Sequence, residues 1–345
     1  MLETGTIVTL ASHSYRLDAP LAGSAYGLIW RAEVLPGGPQ VALKFVNRAQ
    51  MDKAQPGQRG RWIDGAVQEA EFLRQLAPWD ARHIVRLFDS GSHAGLPVLA
   101  LELLEGDLGS WVARRRAAGQ APDVVRALDW VGQVNQALAK VHQYGRRHLD
   151  VKPSNLLLAG GGALVKLADF GTSRALADGA PHVFAGTPNW QAPEQVFGRG
   201  GVASADGANY VTCAATDYFA LGALFYYLVS GGIALRFCQD AAQAWREGQP
   251  GASRGGAQLP FSPILGEEEA ALFLQRCEDG LQQRSNPPAG ARSALILLRT
   301  LLAPDPAERP PHALAISRML AQVAVPVPDS GAARPYAPRA AASAA

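Results

Sequence analysis

The stretch His148-Leu149-Asp150-Val151-Lys152-Pro153-Ser154-Asn155, followed by Asp169-Phe170-Gly171, is the most specific pattern in this sequence. It places two carboxylates, an amine and an amide at fixed spacing. Carboxylate and amide oxygens suit Mg²⁺, and an aspartate with a nearby lysine suits the two ends of a phosphoryl transfer. Each residue is ordinary alone, because a lone aspartate before a glycine is usually a turn former. Together they indicate phosphoryl-transfer chemistry.

Two further motifs flank this stretch in a fixed order. Val41-Ala42-Leu43-Lys44 lies upstream and Ala192-Pro193-Glu194 lies downstream. With them, the sequence resembles the catalytic core of serine/threonine protein kinases of the eukaryotic-like type found in bacteria. The resemblance covers roughly residues 15 to 323. It departs from the family pattern at Leu149, where an arginine usually precedes the catalytic aspartate.

The resemblance implies an α+β, bilobal protein-kinase-like fold. A small lobe of antiparallel β-sheet with one main helix would span residues 15–104, and a larger, mostly helical lobe would span residues 105–323. We expect residues 1–14 to be an N-terminal extension and residues 324–345, rich in Pro and Ala, to be a disordered tail. Insertions in the large lobe are expected near 200–209 and 232–289.

Hydrophobic periodicity supports this arrangement. Short or alternating apolar runs predict strands over 15–22, 28–34, 41–46, 84–88 and 97–103, and a hairpin over 155–158 and 163–167. Apolar residues near the helical period predict helices over 61–76 and 124–144, and a further helix over 267–284. The stripe predicted for the first of these helices includes Val67, Phe72 and Leu73.

The catalytic roles follow from the resemblance. Asp150 would orient the acceptor hydroxyl and take its proton, while Lys152 would reach the transferring phosphate. Asn155 and Asp169 would bind Mg²⁺, for which Mn²⁺ is an alternative, against the phosphates of ATP. The implied cofactors are therefore ATP and a divalent cation.

Lys44 lies in an apolar strand, where an isolated lysine is costly to bury unless it is paired. The expected partner is Glu69, and the ion pair would steady Lys44 against the α- and β-phosphates. Glu71 competes for this role on the same helix. We prefer Glu69 because its spacing to Leu73 matches the family.

The glycine-rich loop of the family falls on Ala22, Ser24 and Gly27, so only the third glycine remains. A backbone without Cβ approaches phosphates closely. Because Ala22 and Ser24 are small, the loop can still cover ATP with looser phosphate contacts.

The adenine pocket is implied by the resemblance as well. The backbone from Glu102 to Leu104 would pair with the base, and Leu101 would be the gatekeeper. Apolar walls with a few fixed polar groups are typical of such a pocket. The remaining predicted contacts are Ile29, Ala42 and Leu157 on the ring and Asp107 on the ribose. For the three apolar residues, plain core packing is an equally economical account.

Lys152 and Thr187 match the serine/threonine branch, with the Thr187 hydroxyl bridging toward Asp150. The arginine that Leu149 replaces usually pairs with a phosphorylated activation loop. We therefore predict that activity does not depend strongly on phosphorylation of Thr172 or Ser173.

Several further residues are expected to be architectural. His148 would be a core histidine in a stack that also contains Leu73, Leu87 and Phe170. Asp217 would fix the catalytic loop from the helix behind it. Glu194 would pair with Arg309 in a buried ion pair that is costly to break from one side.

Composition limits the partners. A formal net charge of +2 over 345 residues, with scattered basic residues, favours no nucleic-acid surface. Three cysteines without metal-ligand spacing indicate a reducing compartment, so we expect the cytoplasm. The apolar run 218–235 is long enough to suggest a membrane span but contains three glycines, which favours a buried helix of the large lobe.

Three functions are consistent with these residues. The first is an active kinase that phosphorylates serine or threonine on protein substrates. The second is a pseudokinase or weakly active signalling scaffold that binds ATP, suggested by the altered glycine loop and Leu149. The third is a small-molecule kinase, which the Lys152 position and Ala192-Pro193-Glu194 disfavour. The sequence leaves the protein substrate and the oligomeric state open.

Overall fold

The structure, a computed structural model, describes residues 2–180, 186–196, 211–247, 262–282 and 287–324. The small lobe contains an antiparallel sheet of six strands in the order β1-β2-β3-β4-β6-β5. The strands are β1 (Ile7–Thr9), β2 (Ser14–Gly23), β3 (Gly27–Leu35), β4 (Gln40–Val46), β5 (Leu87–His93) and β6 (Leu96–Glu102). The strand predicted over 84–88 begins later, because Val85 donates its amide to Leu167 of the large lobe.

The residues before Tyr15, predicted as an extension, form part of this sheet. β1 pairs with β2, and Val8 is fully buried under the sheet. Asp89 on β5 joins the two outer edges, because its Oδ2 accepts hydrogen bonds from the Ser12 and His13 amides and from the Tyr15 hydroxyl at 3.0–3.1 Å. Burial would raise the pKa of Asp89, but these donors outweigh it and hold the pKa below its ordinary value.

The main helix of the small lobe, α2 (Gly60–Gln75), follows a short helix α1 (Arg48–Lys53). Its buried face consists of Glu69, Ala70, Phe72 and Leu73. Val67, predicted in the apolar stripe, is 41% exposed. A helix advances 100° per residue, so Val67 lies on the outer face once Glu69 and Phe72 face inward.

The large lobe is mostly helical, with two small two-stranded sheets. Its helices are α3 (Leu108–Ala117), α4 (Val124–Gln143), α5 (Pro193–Val196), α6 (Ala214–Val229), α7 (Arg236–Arg246), α8 (Glu267–Gly280), α9 (Pro287–Leu301) and α10 (Ala313–Ala324). Its strands are β7 (Arg146–Arg147), β8 (Leu156–Ala159), β9 (Leu164–Leu167) and β10 (Arg174–Ala175). The predicted hairpin is β8 and β9, paired from Leu156 and Leu167 outward.

The apolar run 218–235 is not one continuous helix. α6 ends at Val229, and Gly231 and Gly232 then adopt the left-handed backbone at φ +77° and +91°. All but three of the α6 residues are buried in the lobe, which accounts for their apolar character. Among the described residues, none of the helices combines the length and the apolarity that crossing a bilayer requires.

A bidentate ion pair joins α5 to the end of the domain. Arg309 donates from Nη1 and Nη2 to the two carboxylate oxygens of Glu194, each at 2.8 Å. Glu194 Oε1 also accepts from the Thr216 hydroxyl of α6 at 2.8 Å. This pairing is the one that the sequence suggests.

The predicted insertions are only partly described. The region 232–289 contains α7, α8 and the start of α9, and the helix predicted over 267–284 ends at Gly280. The insertion predicted near 200–209 lies outside the described residues, as does the tail from 325 onward, while Ala324 belongs to α10.

Candidate active site

Lys44 on β4 is held between two carboxylates. Its Nζ lies 2.6 Å from Glu69 Oε2 on α2 and 2.7 Å from Asp169 Oδ1. Glu69 is fully buried, whereas Glu71, the competing candidate, is exposed. Burial alone would lower the pKa of Lys44, but the carboxylates of Asp169 and Glu69 outweigh it and raise the pKa. The amine is therefore cationic, as contact with phosphates requires.

Packing of Phe170 fixes the position of Asp169. The Phe170 ring lies 4.6 Å from Phe72 of α2 and 4.8 Å from His148, measured between ring centroids. Leu73 is buried beside Phe72, and Leu87 is half-buried against the same core. Asp169 has φ +64°, a conformation that costs an ordinary residue about 1–2 kcal/mol. The aromatic packing on either side stabilises that backbone.

The catalytic loop, residues 148–155, brings four predicted side chains together. Asp150 Oδ1 accepts a hydrogen bond from the Thr187 hydroxyl at 2.8 Å, and its Oδ2 lies 2.7 Å from Lys152 Nζ. Lys152 Nζ also lies 2.6 Å from Thr187 Oγ1. Asn155 donates from Nδ2 to Asp150 Oδ2 at 3.0 Å and to the Asp150 carbonyl at 2.9 Å. The Asp150 carboxylate is thus held by three groups.

His148 is a satisfied core residue. It is fully buried, its Nδ1 accepts the Asp150 amide at 3.2 Å, and its Nε2 lies 3.1 Å from the Ala168 carbonyl. This pattern requires the neutral tautomer with the proton on Nε2. Burial lowers the pKa of His148, which agrees with a neutral ring.

Asp217 on α6 orders the start of the catalytic loop. Its carboxylate accepts the His148 amide at 2.8 Å and the Leu149 amide at 2.7 Å, and it lies 2.9 Å from His142 Nε2. Burial would raise the pKa of Asp217, but these partners outweigh it and lower the pKa. The sequence analysis anticipated Asp217 and missed His142. The only sequence signal for His142 is that it lies four residues after the buried Leu138, and therefore on the same side of α4.

Leu149 adopts the left-handed backbone at φ +67° with a buried side chain. Its carbonyl passes close to Gly186, where a Cβ atom would lie only 2.6 Å from the Leu149 oxygen. Glycine is therefore required at 186, directly before Thr187.

Two arginines that the sequence analysis did not single out hold the activation segment, residues 169–194. Arg147 is 1% exposed and donates to the backbone carbonyls of Ala175 and Asp178 at 2.9 and 2.8 Å. Arg146 donates to the hydroxyl and to the backbone carbonyl of Ser173, at 3.1 and 3.2 Å. The strands β7 and β10 pair at the same place. The signal was a pair of adjacent arginines directly before the buried His148.

The glycine-loop turn, residues 22–27, connects β2 and β3. Ser24 donates its amide to the Gly27 carbonyl at 2.8 Å. The Ser24 hydroxyl accepts the Tyr26 and Gly27 amides at 3.2 and 3.0 Å. Ala22 pairs with Ile29 across the hairpin. The turn is therefore closed by a serine where the family pattern has glycine.

The predicted adenine side is apolar. Ala42 is buried, and Ile29 and Leu157 are half-buried against the same core cluster, which also includes Leu101. β6 ends at Glu102, whose side chain contacts Lys166 at 2.7 Å. Asp107 caps α3, since its Oδ1 and Oδ2 accept from the Ser110 amide and hydroxyl at 2.8 and 2.6 Å. This helix-capping role is sufficient to account for an aspartate at position 107, whether or not it also contacts a ribose.

A cleft of about 720 Å³ lies between the lobes, and most of the predicted catalytic residues line it. Its lining includes Ser24, Lys44, Glu69, Asp150, Lys152, Asp169 and Thr187. The adenine-side residues Ile29, Ala42 and Leu157 are not part of this lining. Asn155 directs its amide nitrogen to Asp150, which leaves its side-chain oxygen available to a hard cation, and the Asp169 carboxylate offers the same type of oxygen ligand. The residues present therefore fit a divalent cation.

Comparison with known proteins agrees with this geometry. The chain matches a family model of the protein kinase domain over residues 23–320. It therefore belongs to the protein kinase family.

Its relatives include proteins named as serine/threonine kinases. It is 30% identical over 233 residues to serine/threonine-protein kinase Pkn1 of Myxococcus xanthus, covering 65% of this chain and 30% of that protein. It is 32% identical over 237 residues to serine/threonine-protein kinase PkaA of Streptomyces coelicolor, covering 63% and 39%. With CBL-interacting protein kinase 20 of Oryza sativa subsp. japonica it shares 29% over 241 residues, covering 67% and 47%. The matched part is less than half of each of these relatives.

Proposed function

We propose that this protein is an ATP-dependent kinase that transfers the γ-phosphoryl group to serine or threonine hydroxyls of protein substrates. One observation carries the proposal: the Asp150, Lys152 and Thr187 cluster and the Lys44, Glu69 and Asp169 cluster line a single cleft. The first cluster suits the acceptor and the second suits the triphosphate. A scaffold that had lost the chemistry would not need both.

The proposal gives each side chain a role. Asp150 binds the acceptor hydroxyl and takes its proton, at a carboxylate that Asn155 and Lys152 hold in place. Lys152 neutralises charge on the transferring group, and Lys44 holds the α- and β-phosphates in a position set by Glu69. Asp169 and the Asn155 carbonyl oxygen would hold Mg²⁺ or Mn²⁺, which screens the charge of the phosphates when bound.

The nucleoside end is proposed to lie beyond this cleft. Ile29, Ala42 and Leu157 would sandwich the adenine, and the backbone of Glu102 and Leu104 would pair with its edge. Ala22, Ser24 and Gly27 would cover the phosphates. Asp107 would reach the ribose only through the lone pairs that its capping of Ser110 leaves open.

The activation segment is proposed to be active without phosphorylation. Leu149 cannot pair with a phosphate, and the sequence between Ser173 and Thr187 contains no serine, threonine or tyrosine. Arg147 instead holds this segment through backbone carbonyls, which need no modification. The contacts of a phosphorylated loop are thus replaced by permanent ones.

The substrates are proposed to be proteins in the cytoplasm of a bacterium, in a signalling role. Cys213, Cys238 and Cys277 are all unpaired, which suits a reducing compartment.

The test is transfer of labelled phosphate. The purified chain is incubated with γ-labelled ATP and Mg²⁺, alone and with a generic basic protein, beside the Asp150→Ala variant. We expect label on serine or threonine with the unaltered chain and its loss in the variant. An ATP-dependent rise in melting temperature without any transfer would favour the scaffold instead.

A further inference from the structure

The glycine-loop turn is fully tied to the protein on its carbonyl side. Asn47 Nδ2 donates to the Ser24 carbonyl at 2.7 Å, and the Asn47 amide donates to the Tyr26 carbonyl at 3.0 Å. Trp62, in the first turn of α2, donates from Nε1 to the Ala25 carbonyl at 2.9 Å. Its ring also packs on Tyr26, with centroids 5.1 Å apart. The turn is therefore fixed in one conformation by Asn47 and Trp62.

The turn also borders the cleft. Ser24, Ala25 and Tyr26 line the same space as Lys44 and Asp169. Backbone amides that converge on such a space are the donors that bind phosphate oxygens. In this turn, however, the Tyr26 and Gly27 amides already donate to the Ser24 hydroxyl, at 3.2 and 3.0 Å.

We propose that Ser24 caps the phosphate-binding amides of its own loop, so that the phosphates of a nucleotide must displace its hydroxyl. The inference rests on the proposed ATP site. A hydroxyl oxygen is a weaker acceptor than a phosphate oxygen, so the displacement is feasible, but each released hydrogen bond subtracts from the affinity. Ser24 thereby lowers the affinity for nucleotide phosphates and leaves the nucleoside contacts unaffected.

The cap also explains how the loop is ordered with only one of its three glycines. A flexible glycine loop is shaped by the phosphates that it binds. Here Ser24 supplies acceptors in their place, and Asn47 and Trp62 hold the carbonyls. The result is a preformed cradle, with its donors occupied until a stronger acceptor arrives.

The experiment compares Ser24→Ala with Ser24→Thr in the full chain. Dissociation constants are measured by calorimetry for Mg-ATP, ADP and adenosine, and the KM for ATP and kcat are measured by phosphate transfer. Removal of the cap in Ser24→Ala is expected to tighten ATP and ADP about 3- to 10-fold, the factor that one net hydrogen bond supplies. Adenosine affinity should stay unchanged, and the KM for ATP should fall without a rise in kcat. Ser24→Thr restores the hydroxyl and should return the dissociation constants toward those of the unaltered chain.

The outcomes separate this inference from the proposed function. If the unaltered chain binds ATP and Ser24→Ala binds it equally or more weakly, the hydroxyl is a phosphate donor or is neutral, and the cap is wrong. Tighter binding of adenosine in Ser24→Ala would also overturn it, since the effect would then not lie at the phosphates. If only Ser24→Ala binds ATP, the cap is supported in its strongest form. If neither binds ATP, both proposals are wrong.

Discussion

The catalytic loop and the glycine-loop turn face the same cleft but depend on different chemistry. In the catalytic loop, the roles proposed for Asp150 and Lys152 depend on their side chains, so only particular residue types will serve. In the turn, the groups proposed to bind phosphate are backbone amides, which every residue except proline supplies. The family pattern is therefore kept at Asp150, Lys152 and Asn155 of the first region, where it is altered only at Leu149, and it loses two of its three glycines in the second. The alteration still matters, because Ser24 brings a hydroxyl to amides that glycine would leave open.

The largest effect that this comparison predicts is at Asp150. Asp150→Asn keeps the shape of the side chain but removes the proton acceptor, so kcat should fall roughly 10²- to 10⁴-fold. The affinity for ATP should change little, because Asp150 contacts Thr187 and Lys152 and not the phosphate loop. Single-turnover kinetics with calorimetric ATP binding separates the two quantities. A variant that lost ATP affinity but retained kcat would break the distinction between the two regions.

Asp217 tests whether the catalytic loop depends on its support from α6. In Asp217→Asn, the amide group can accept only through one oxygen, so the amides of His148 and Leu149 compete for it. The unfolding free energy should fall by about 1–3 kcal/mol. Displacement of the loop should lower kcat by about 10²-fold. Chemical denaturation and steady-state kinetics provide the measurements, and a loss of stability with full kcat would contradict a positioning role.

Arg147 tests the activation segment, the third structure that faces the acceptor. Arg147→Met retains the apolar stem and removes the contacts to the carbonyls of Ala175 and Asp178. The unfolding free energy should fall by about 1–3 kcal/mol. The kcat should fall about tenfold, because Thr187 would no longer be held in position beside Asp150. Arg114→Met, on an exposed position of α3, is the matched control. Equal kinetics in the two variants would show that the buried arginine does not position the segment.

Asp89 tests the sheet that carries the glycine-loop turn. Its pKa is lowered in the folded state, so its stabilisation is present above the unfolded pKa of about 3.9 and is lost as pH falls through the folded value. Asp89→Asn should therefore reduce the unfolding free energy by about 1–3 kcal/mol at pH 7, and the difference from the unaltered chain should shrink below about pH 4. Urea unfolding across that range measures it, with Asp18→Asn on β2 as the surface control. A difference independent of pH would rule out the carboxylate as the cause.

The smallest effect is predicted for phosphorylation. Phosphatase treatment should leave activity unchanged, because the contacts of Arg147 replace those of a phosphorylated loop. Combined Thr172→Ala and Ser173→Ala should change kcat by less than about threefold, because they remove only the Ser173 hydroxyl contact to Arg146 and the Thr172 hydroxyl contact to the His148 carbonyl. Abolished activity in a variant that still folds would mean that phosphate is required after all.

Most of the fold was predictable because the apolar pattern of each helix or strand recurs over many residues. The period of apolar residues located α2, α4 and most strands, and two motifs ordered the lobes. The errors have local causes. Val67 was placed in the buried stripe, although inward-facing Glu69 turns that position outward, and β1 was missed because three residues are too few for a pattern.

The site was predictable where side-chain chemistry is fixed by spacing. Lys44 contacts Asp169 and Glu69, not Glu71, and Asp150 lines the same cleft. Arg147, His142 and Trp62 could not be assigned from sequence, because their partners are backbone carbonyls and a carboxylate far along the chain. Any residue offers a carbonyl, so no pattern marks such contacts.

The sequence by itself determined the family, the α+β class and the choice of the side chains that are proposed to perform the chemistry, since these depend on which side chains occur in which order. Only the tertiary structure decided which hydrogen bonds hold those groups in place and which partners their donors already have. It brings Arg147 to the activation segment and the Ser24 hydroxyl to the Tyr26 and Gly27 amides. Hydrogen bonds to the backbone depend on geometry and not on residue type, so they appear only once the chain is folded.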